Sequence, residues 1–364
     1  MATSSLSPGA VCLSLAIGCG MGRRSWRHGR HCRMLHLAKA GGSEPLSSGV
    51  QTVRSVSLGN LRIHCMTDGA AACRASWMFK HRPVLSRSGP SAWFRAPHIP
   101  EAELAKCFPG GRATLSFGCC LLEHPSGQHV LLDTSLGCLS PPIFPAMTKT
   151  RPLLDLRELL MDAAGIGPDD IDVVVHSHLH RDHTGWNVVG GGGGADAPEP
   201  LFKKARHLVQ RSEWAYWVSS DTLKARCRFS ENLAPLEARG MVELVDGQCE
   251  VLPGVELLPC PGHTPGHQVV RLSDGGRSAY FIGDALHQVA QVQNPHWSPV
   301  FDWCPSASIA SRLALLDGIA SEDAMLLSPH FPFPGIGHVA RQADSFSFHK
   351  YFGNHEEIQE PSPA

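Results

Sequence analysis

Ile171-Asp172-Val173-Val174-Val175-His176-Ser177-His178-Leu179-His180-Arg181-Asp182-His183-Thr184-Gly185-Trp186 decides the fold. An acidic turn, Gly167-Pro168-Asp169-Asp170, leads into a β-branched apolar run. A run of that kind is the mark of a strand buried on both faces. Between His178 and His183 it gives way to a dense set of ionisable side chains. Burying such groups unpaired costs several kcal/mol each, so the carboxyl end of the strand needs a compensating charge. A divalent cation is the simplest one. His178 and His180, two residues apart on a turning backbone, can grip one ion, and Asp182 with His183 can reach a second beside it.

That motif alone supplies too few ligands, so it predicts others downstream. Three later strand ends carry a metal-competent residue: His263 after Leu258, Asp284 after Ile282 and His330 after Leu327. Open α/β sheets present their ligands at such carboxyl edges. The assignment that follows gives His178, His180 and His263 to the first ion. Asp182, His183 and His330 go to the second, and Asp284 bridges both. Two cations ~3.5–4 Å apart can share a water and lower its pKa toward ~7, which makes hydrolysis by a bridging hydroxide the natural chemistry.

The blocks Ser177-His178-Leu179-His180-Arg181-Asp182-His183, Gly262-His263-Thr264-Pro265-Gly266-His267, Gly283-Asp284 and His330 resemble the metallo-β-lactamase superfamily. Thr264 to Gln268 and the run from His330 to His338 point to the branch of N-acyl-homoserine lactonases and methyl parathion hydrolase. The resemblance covers roughly residues 55–345. It implies an α/β (α+β) protein with a four-layer αββα sandwich and two Zn2+ ions, with iron or manganese as other occupants. The activity implied is hydrolysis of an ester, lactone or phosphotriester. Alternatives are a thioesterase of the hydroxyacylglutathione type and a non-hydrolytic, iron-binding member of the fold. Lactonases of this type carry a tyrosine three residues after the bridging aspartate; here that position is His287. Asp182 and His287 are therefore the candidate catalytic residues. His267, His338 and His176 are read as loop support, pocket rim and support at the strand end, respectively.

Composition narrows the partners. A hydrophobic content of 43% and a charged content of 18% describe an ordinary globular chain. A net charge of -1 gives no reason to expect a nucleic-acid partner. No apolar run approaches the ~20 residues that cross a bilayer. A small-molecule substrate is expected, with a homodimer left open. The 13 cysteines form no Cys-x-x-Cys pair, so free thiols are expected. Residues 1–50 hold six arginines and lysines before the first acid, Glu44. That composition suits a mitochondrial or plastid transit peptide or a leader without structure; otherwise the chain would be cytoplasmic. Residues 51–350 are expected to form the hydrolase domain and 351–364 a disordered tail.

Between these motifs the expected elements are conventional. Val53 to Met66 reads as a hairpin around Gly59-Asn60, closed by Thr67-Asp68-Gly69, and residues 70–112 read as an irregular loop whose aromatics pack or, as the alternative, line a substrate mouth. A second hairpin runs to Asp133. Helices are expected from Asp155 to Ala164, from a Ser212 cap, and from Ala307 to Leu316 behind a Ser306 cap. The glycine run Gly190 to Gly194 reads as a mobile loop.

Overall fold

Strand Val173–Val175 lies between strands His129–Leu132 and Arg206–Gln210 and runs parallel to both. Its three valines explain the placement. Val173 and Val175 face a core shared with the opposite sheet, whereas Val174 faces a helix layer on the other side. This arrangement comes from a computed structural model that describes residues 51–80, 99–137, 148–149, 154–190 and 197–351. The leader at 1–50, nearly all of the tail beyond 350 and most of the glycine run lie outside the described residues.

The first sheet has eight strands: Val53–Leu58, Leu61–Arg74, Arg112–Glu123, His129–Leu132, Val173–Val175, Arg206–Gln210 and Val242–Val245 in order, with Thr148–Lys149 paired to Leu61–Arg74. The second has seven, from Cys249–Leu252 through Val255–Pro259, Gln268–Asp274, Arg277–Phe281, Met325–Leu327 and Ile336–Arg341 to Phe346–Lys350. Ile63, Leu122 and Leu132 of the first pack against Leu257, Val270, Phe281 and Leu327 of the second. Helix Leu156–Ala164 covers the outer face of the first sheet through Leu156, Leu159 and Leu160. Helix Pro305–Ser321 covers the second through Leu315, Leu316 and Ile319. The layers are thus αββα, as the resemblance implies. Because both sheets are covered twice, their central strands read as continuous apolar runs instead of alternating ones.

Several boundaries differ from the sequence reading. The chain does not turn at Thr67-Asp68-Gly69; strand Leu61–Arg74 absorbs that triplet as a register shift against Arg112–Glu123 and continues. Thr67 Oγ1 donates to the Gly69 carbonyl across the bulge, and Asp68 is turned inside. Part of the expected aromatic loop is helical, at Ala75–Met78 and Glu101–Cys107. Helix Arg211–Val218 starts one residue before Ser212, and helix Pro305–Ser321 starts one before Ser306, so neither serine is a cap. Proline at the first helical position suits the second start, since its missing N–H would be unpaired there anyway. The described cysteines are free, as expected, including Cys65 and Cys120, whose sulfurs lie 3.2 Å apart.

Candidate metal centre

The predicted ligands meet at one end of the two sheets. His178, His180, Asp182 and His183 follow strand Val173–Val175; His263 lies in the loop between Val255–Pro259 and Gln268–Asp274. Asp284 and His330 follow Arg277–Phe281 and Met325–Leu327. Two donor groups hold the predicted ligands: His178, His180, His263 and Asp284 in one, Asp182, His183 and His330 in the other. A third, Asp284, His287 and His330, overlaps them, and within each group the donor atoms lie within 4.8 Å of one another. Asp284 joins them: Oδ2 is 3.1 Å from His263 Nε2, and Oδ1 is 2.9 Å from His330 Nε2 and 3.0 Å from His183 Nε2. Asp182 is more peripheral, with Oδ2 4.0 Å from His330 Nε2.

Electrostatics shows why these groups need a cation. Burial pushes His178 and His180 well below the usual imidazole range, and the neighbouring histidines push the same way. Burial would raise the Asp284 carboxyl, but His183, His330, His287 and His263 around it hold it well below the carboxylate range. A buried carboxylate therefore sits in a shell of imidazole nitrogens that face one another. His178 Nε2 and His180 Nδ1 are 2.8 Å apart, His180 Nδ1 and His263 Nε2 2.9 Å, and His183 Nε2 and His330 Nε2 3.2 Å. Tetrahedral shells with bonds of ~2.0–2.1 Å have donor–donor edges of ~3.3 Å, so rings this close need only a small adjustment to share one ion. The Asp284 Oδ1 atom, buried and without an aligned hydrogen bond, makes the same point.

The sequence profile of the metallo-beta-lactamase superfamily matches residues 119–321, which span the first two motifs and Asp284. The chain belongs to this superfamily. Among metallo-β-lactamase relatives, the N-acyl homoserine lactonase AiiA of Bacillus thuringiensis subsp. kurstaki is 29% identical over 236 residues, covering 61% of this chain and 84% of AiiA. The N-acyl homoserine lactonase AttM of Agrobacterium fabrum is 29% identical over 170 residues, covering 42% of this chain and 58% of AttM. In structure the chain is similar to AidC, a dizinc quorum-quenching lactonase, with a TM-score of 0.67 at 20% identity, covering 83% of this chain and 99% of AidC. It is equally similar in fold to the hydrolase AbOPH, with a TM-score of 0.68 at 20% identity, covering 84% of this chain and all (100%) of that one. The chain is a metal-dependent hydrolase of this superfamily, and its clustered histidines and aspartates support a dinuclear metal site.

Three buried carboxylates around this metallo-β-lactamase site escaped the sequence reading. Asp133 accepts from His183 Nδ1 at 2.7 Å and from Ser177 N and Oγ, both at 2.7 Å. Asp302 lies 3.2 Å from His263 Nδ1 and is braced from behind by Ser298 and the fully buried Arg312. Burial would raise the Asp302 carboxyl, but His263 and Arg312 hold it well below its usual range. Each fixes the ring of one imidazole through the nitrogen opposite the metal-facing one, which orients the ring and raises its basicity. Glu213, on helix Arg211–Val218, accepts from Leu179 N, Trp217 Nε1, Thr264 Oγ1 and Gly266 N at 2.6–3.0 Å. One carboxylate thus ties the His178–His180 turn to the His263 loop. Asp133 had a signal, since it ends an apolar strand as Asp284 does. Glu213 and Asp302 had none, because an acid in a helix or loop is by default a solvated one.

Backbone contact holds the second ligand group in register. Thr134 N donates to the His183 carbonyl at 2.9 Å, and Gly185 N to the Ser135 carbonyl at 2.9 Å. A Cβ on Gly137, whose φ is +74°, would lie 2.3 Å from the Gly185 carbonyl oxygen, and one on Gly185 would lie 2.0 Å from that of Leu136. Only hydrogens fit between these strands of backbone.

Beside the donors opens a cavity of about 370 Å³, lined by His180, Asp182, His263, Asp284, His287 and His330, among others. His287 stacks on His330 with an interplanar angle of 6° and places Nε2 3.1 Å from Asp284 Oδ2, a contact too poorly aligned to be a hydrogen bond. Of the loop aromatics, Trp77 lines the cavity while Phe79 packs in the core against Phe108 and Trp297; Trp93 and Phe94 lie outside the described residues. His267 supports the loop, as expected: Nδ1 is 3.0 Å from the Cys260 carbonyl, and Nε2 accepts from Asp284 N at 2.9 Å. His338 does not reach the rim; it sits half-exposed on strand Ile336–Arg341. His176 instead stacks on His207, with Nε2 3.2 Å from His207 Nδ1.

Proposed function

We propose that residues 51–350 form a dizinc hydrolase that opens a carboxylic ester or lactone, with His178, His180 and His263 on one ion, Asp182, His183 and His330 on the other, and Asp284 shared. The observation that carries this reading is the convergence of the two donor groups on the Asp284 carboxylate at the floor of a cavity large enough for a small substrate. Similarity to lactonases that span most of their own length supports the ester-type bond.

When bound, the two cations polarise the scissile carbonyl and lower the pKa of a shared water toward ~7. The chain's residues do the rest. Asp182, partly exposed, lines the cavity and accepts the proton lost by the attacking water, then returns it to the leaving alkoxide. His287 takes the place of the lactonase tyrosine. Burial, the largest influence, keeps its imidazole neutral, so one ring nitrogen can donate to the developing oxyanion. Asp133 and Asp302 keep His183 and His263 in the tautomer that turns a lone pair inward. The wall formed by Trp77, Leu115, Phe117 and Phe301 takes the apolar part of the substrate.

The test is to purify the protein, measure bound zinc, iron and manganese, and screen the metal-loaded form against lactones, aryl esters, thioesters and phosphotriesters. The expected result is about two zinc ions per chain and turnover of lactones or aryl esters that His180→Ala abolishes. Protein without stoichiometric metal, or turnover confined to thioesters, would overturn the proposal.

A further inference from the structure

The lining of the cavity is mixed in charge. Trp77, Leu115, Phe117 and Phe301 are uncharged. The same lining holds Arg181, Arg226 and Trp217, whose ring centroid is 5.3 Å from that of His180. The acids that line the same space, Asp182 and Asp284, are the ones that the reading above commits to the metal pair. Arg181 is half-buried and sits between two of those ligands in sequence, with Arg228 close enough to act on it through space. Arg228 is itself paired with Glu231 at 3.6 Å. Arg226 is placed differently. It projects from the exposed side of helix Asp221–Cys227, and no described carboxylate forms an ion pair with it. It lines the cavity together with His180, Arg181 and Trp217.

An unpaired guanidinium at the edge of a partly apolar cavity attracts an anion more strongly than one in open water, because the low-dielectric wall reduces screening. Guanidinium also binds carboxylate in a two-point, planar fashion that ammonium cannot reproduce. Neither property serves a neutral substrate. We propose that the ester or lactone hydrolysed here carries a carboxylate on its acyl side, seated on Arg226 while the carbonyl lies at the metal pair and the apolar remainder on the aromatic wall. This inference rests on the hydrolase reading above and adds the substrate's charge to it.

Two esters with one leaving group test it: the mono-para-nitrophenyl ester of adipic acid and para-nitrophenyl hexanoate, assayed with the zinc-loaded full-length chain above the spontaneous rate. The acid ester should have a kcat/KM about tenfold higher, expressed in KM, and the preference should shrink as ionic strength rises. Arg226→Ala should bring the ratio of the two esters near one, Arg226→Lys should keep part of it, and Arg226→Glu should invert it. All three changes lie on an exposed helical surface, where substitution does not endanger folding. Equal kcat/KM for both esters in the wild type, or a preference that survives Arg226→Glu, would overturn the carboxylate assignment while leaving the hydrolase intact. Turnover of neither ester would count against the ester reading. In that event calorimetry with adipate decides the anion site: binding lost in Arg226→Ala upholds it, and binding unchanged overturns it.

Discussion

Two clusters of buried histidines lie a few residues apart in this protein and behave as opposites. Around Asp284, imidazoles from both sheets aim nitrogens at one carboxylate and at each other. One turn away, His176 and His207 stack nearly parallel, at 19°, with no acid between them, and each leaves a ring nitrogen without a partner. Burial drives the imidazoles of the pair toward the neutral form, His176 to about 4. Burial of histidine is thus common to both places and decides nothing. A shared carboxylate and a third convergent donor distinguish a metal site from a filled corner of the core.

The comparison breaks most directly at its centre. Asp284→Asn removes the bridging charge and should lower turnover on the order of 10³-fold while the second ion is lost, both read by steady-state kinetics and metal analysis. Chelation separates the clusters next. Removing a metal pair held at a thousand times its dissociation constant costs about 4 kcal/mol, so the unfolding midpoint should fall on the order of 10 °C. The fall should be smaller in Asp284→Asn, which keeps one ion to lose, and a chelator that leaves the wild-type melt unchanged would argue that the donors hold no metal.

Asp68 supplies the contrasting case of a buried acid without an imidazole. It accepts from Ser135 Oγ, Gly137 N and Trp186 Nε1, yet burial outweighs those bonds and lifts its carboxyl to about 6. A folded-state value above the unfolded one means that the folded chain holds the proton more tightly. The stability from Asp68 is therefore full below about pH 4 and lost as pH rises through about 6, by about 3 kcal/mol. Urea melts of wild type and Asp68→Asn across that window should converge or cross by this amount; parallel curves would contradict it. Glu213→Gln should be milder, lowering metal affinity or kcat/KM about 10–100-fold, because it swaps one acceptor oxygen in the clamp for a donor. The smallest effect belongs to the other cluster. His207→Leu replaces a ring whose one hydrogen-bond contact is with His176 by an apolar side chain and should change stability by no more than about 1 kcal/mol, with metal content unaltered.

Much of the site was legible because its chemistry is concentrated. His178 to His183 places more ionisable groups on one turn than a surface needs, and a buried strand precedes them. His263, Asp284 and His330 stood out for the same reason, one per strand end. What supports them did not stand out. Glu213 and Asp302 look like any surface acid until the tertiary fold removes their water. Thr67-Asp68-Gly69 has turn composition, but the small residues Ala70, Ala71, Ala72 and Cys73 pack between neighbours and extend the strand. Strands Ile336–Arg341 and Phe346–Lys350 were missed because the glycines and prolines before them suggest a loop, whereas pairing of the first with Met325–Leu327, and of the second with the first, decides their conformation. The cationic part of the lining was hidden too, since Arg181 and Arg226 come from separate turns.

The touching backbones at Gly137 and Gly185 set a limit on how this enzyme can vary. Neither lies in the cavity or beside a substrate, yet any methyl group introduced at either one would wedge two peptide planes apart and carry Asp133 away from His183. A library saturating every codon would therefore find two intolerant positions that no inspection of the pocket would single out, and selection for new substrates must leave that seam as it is.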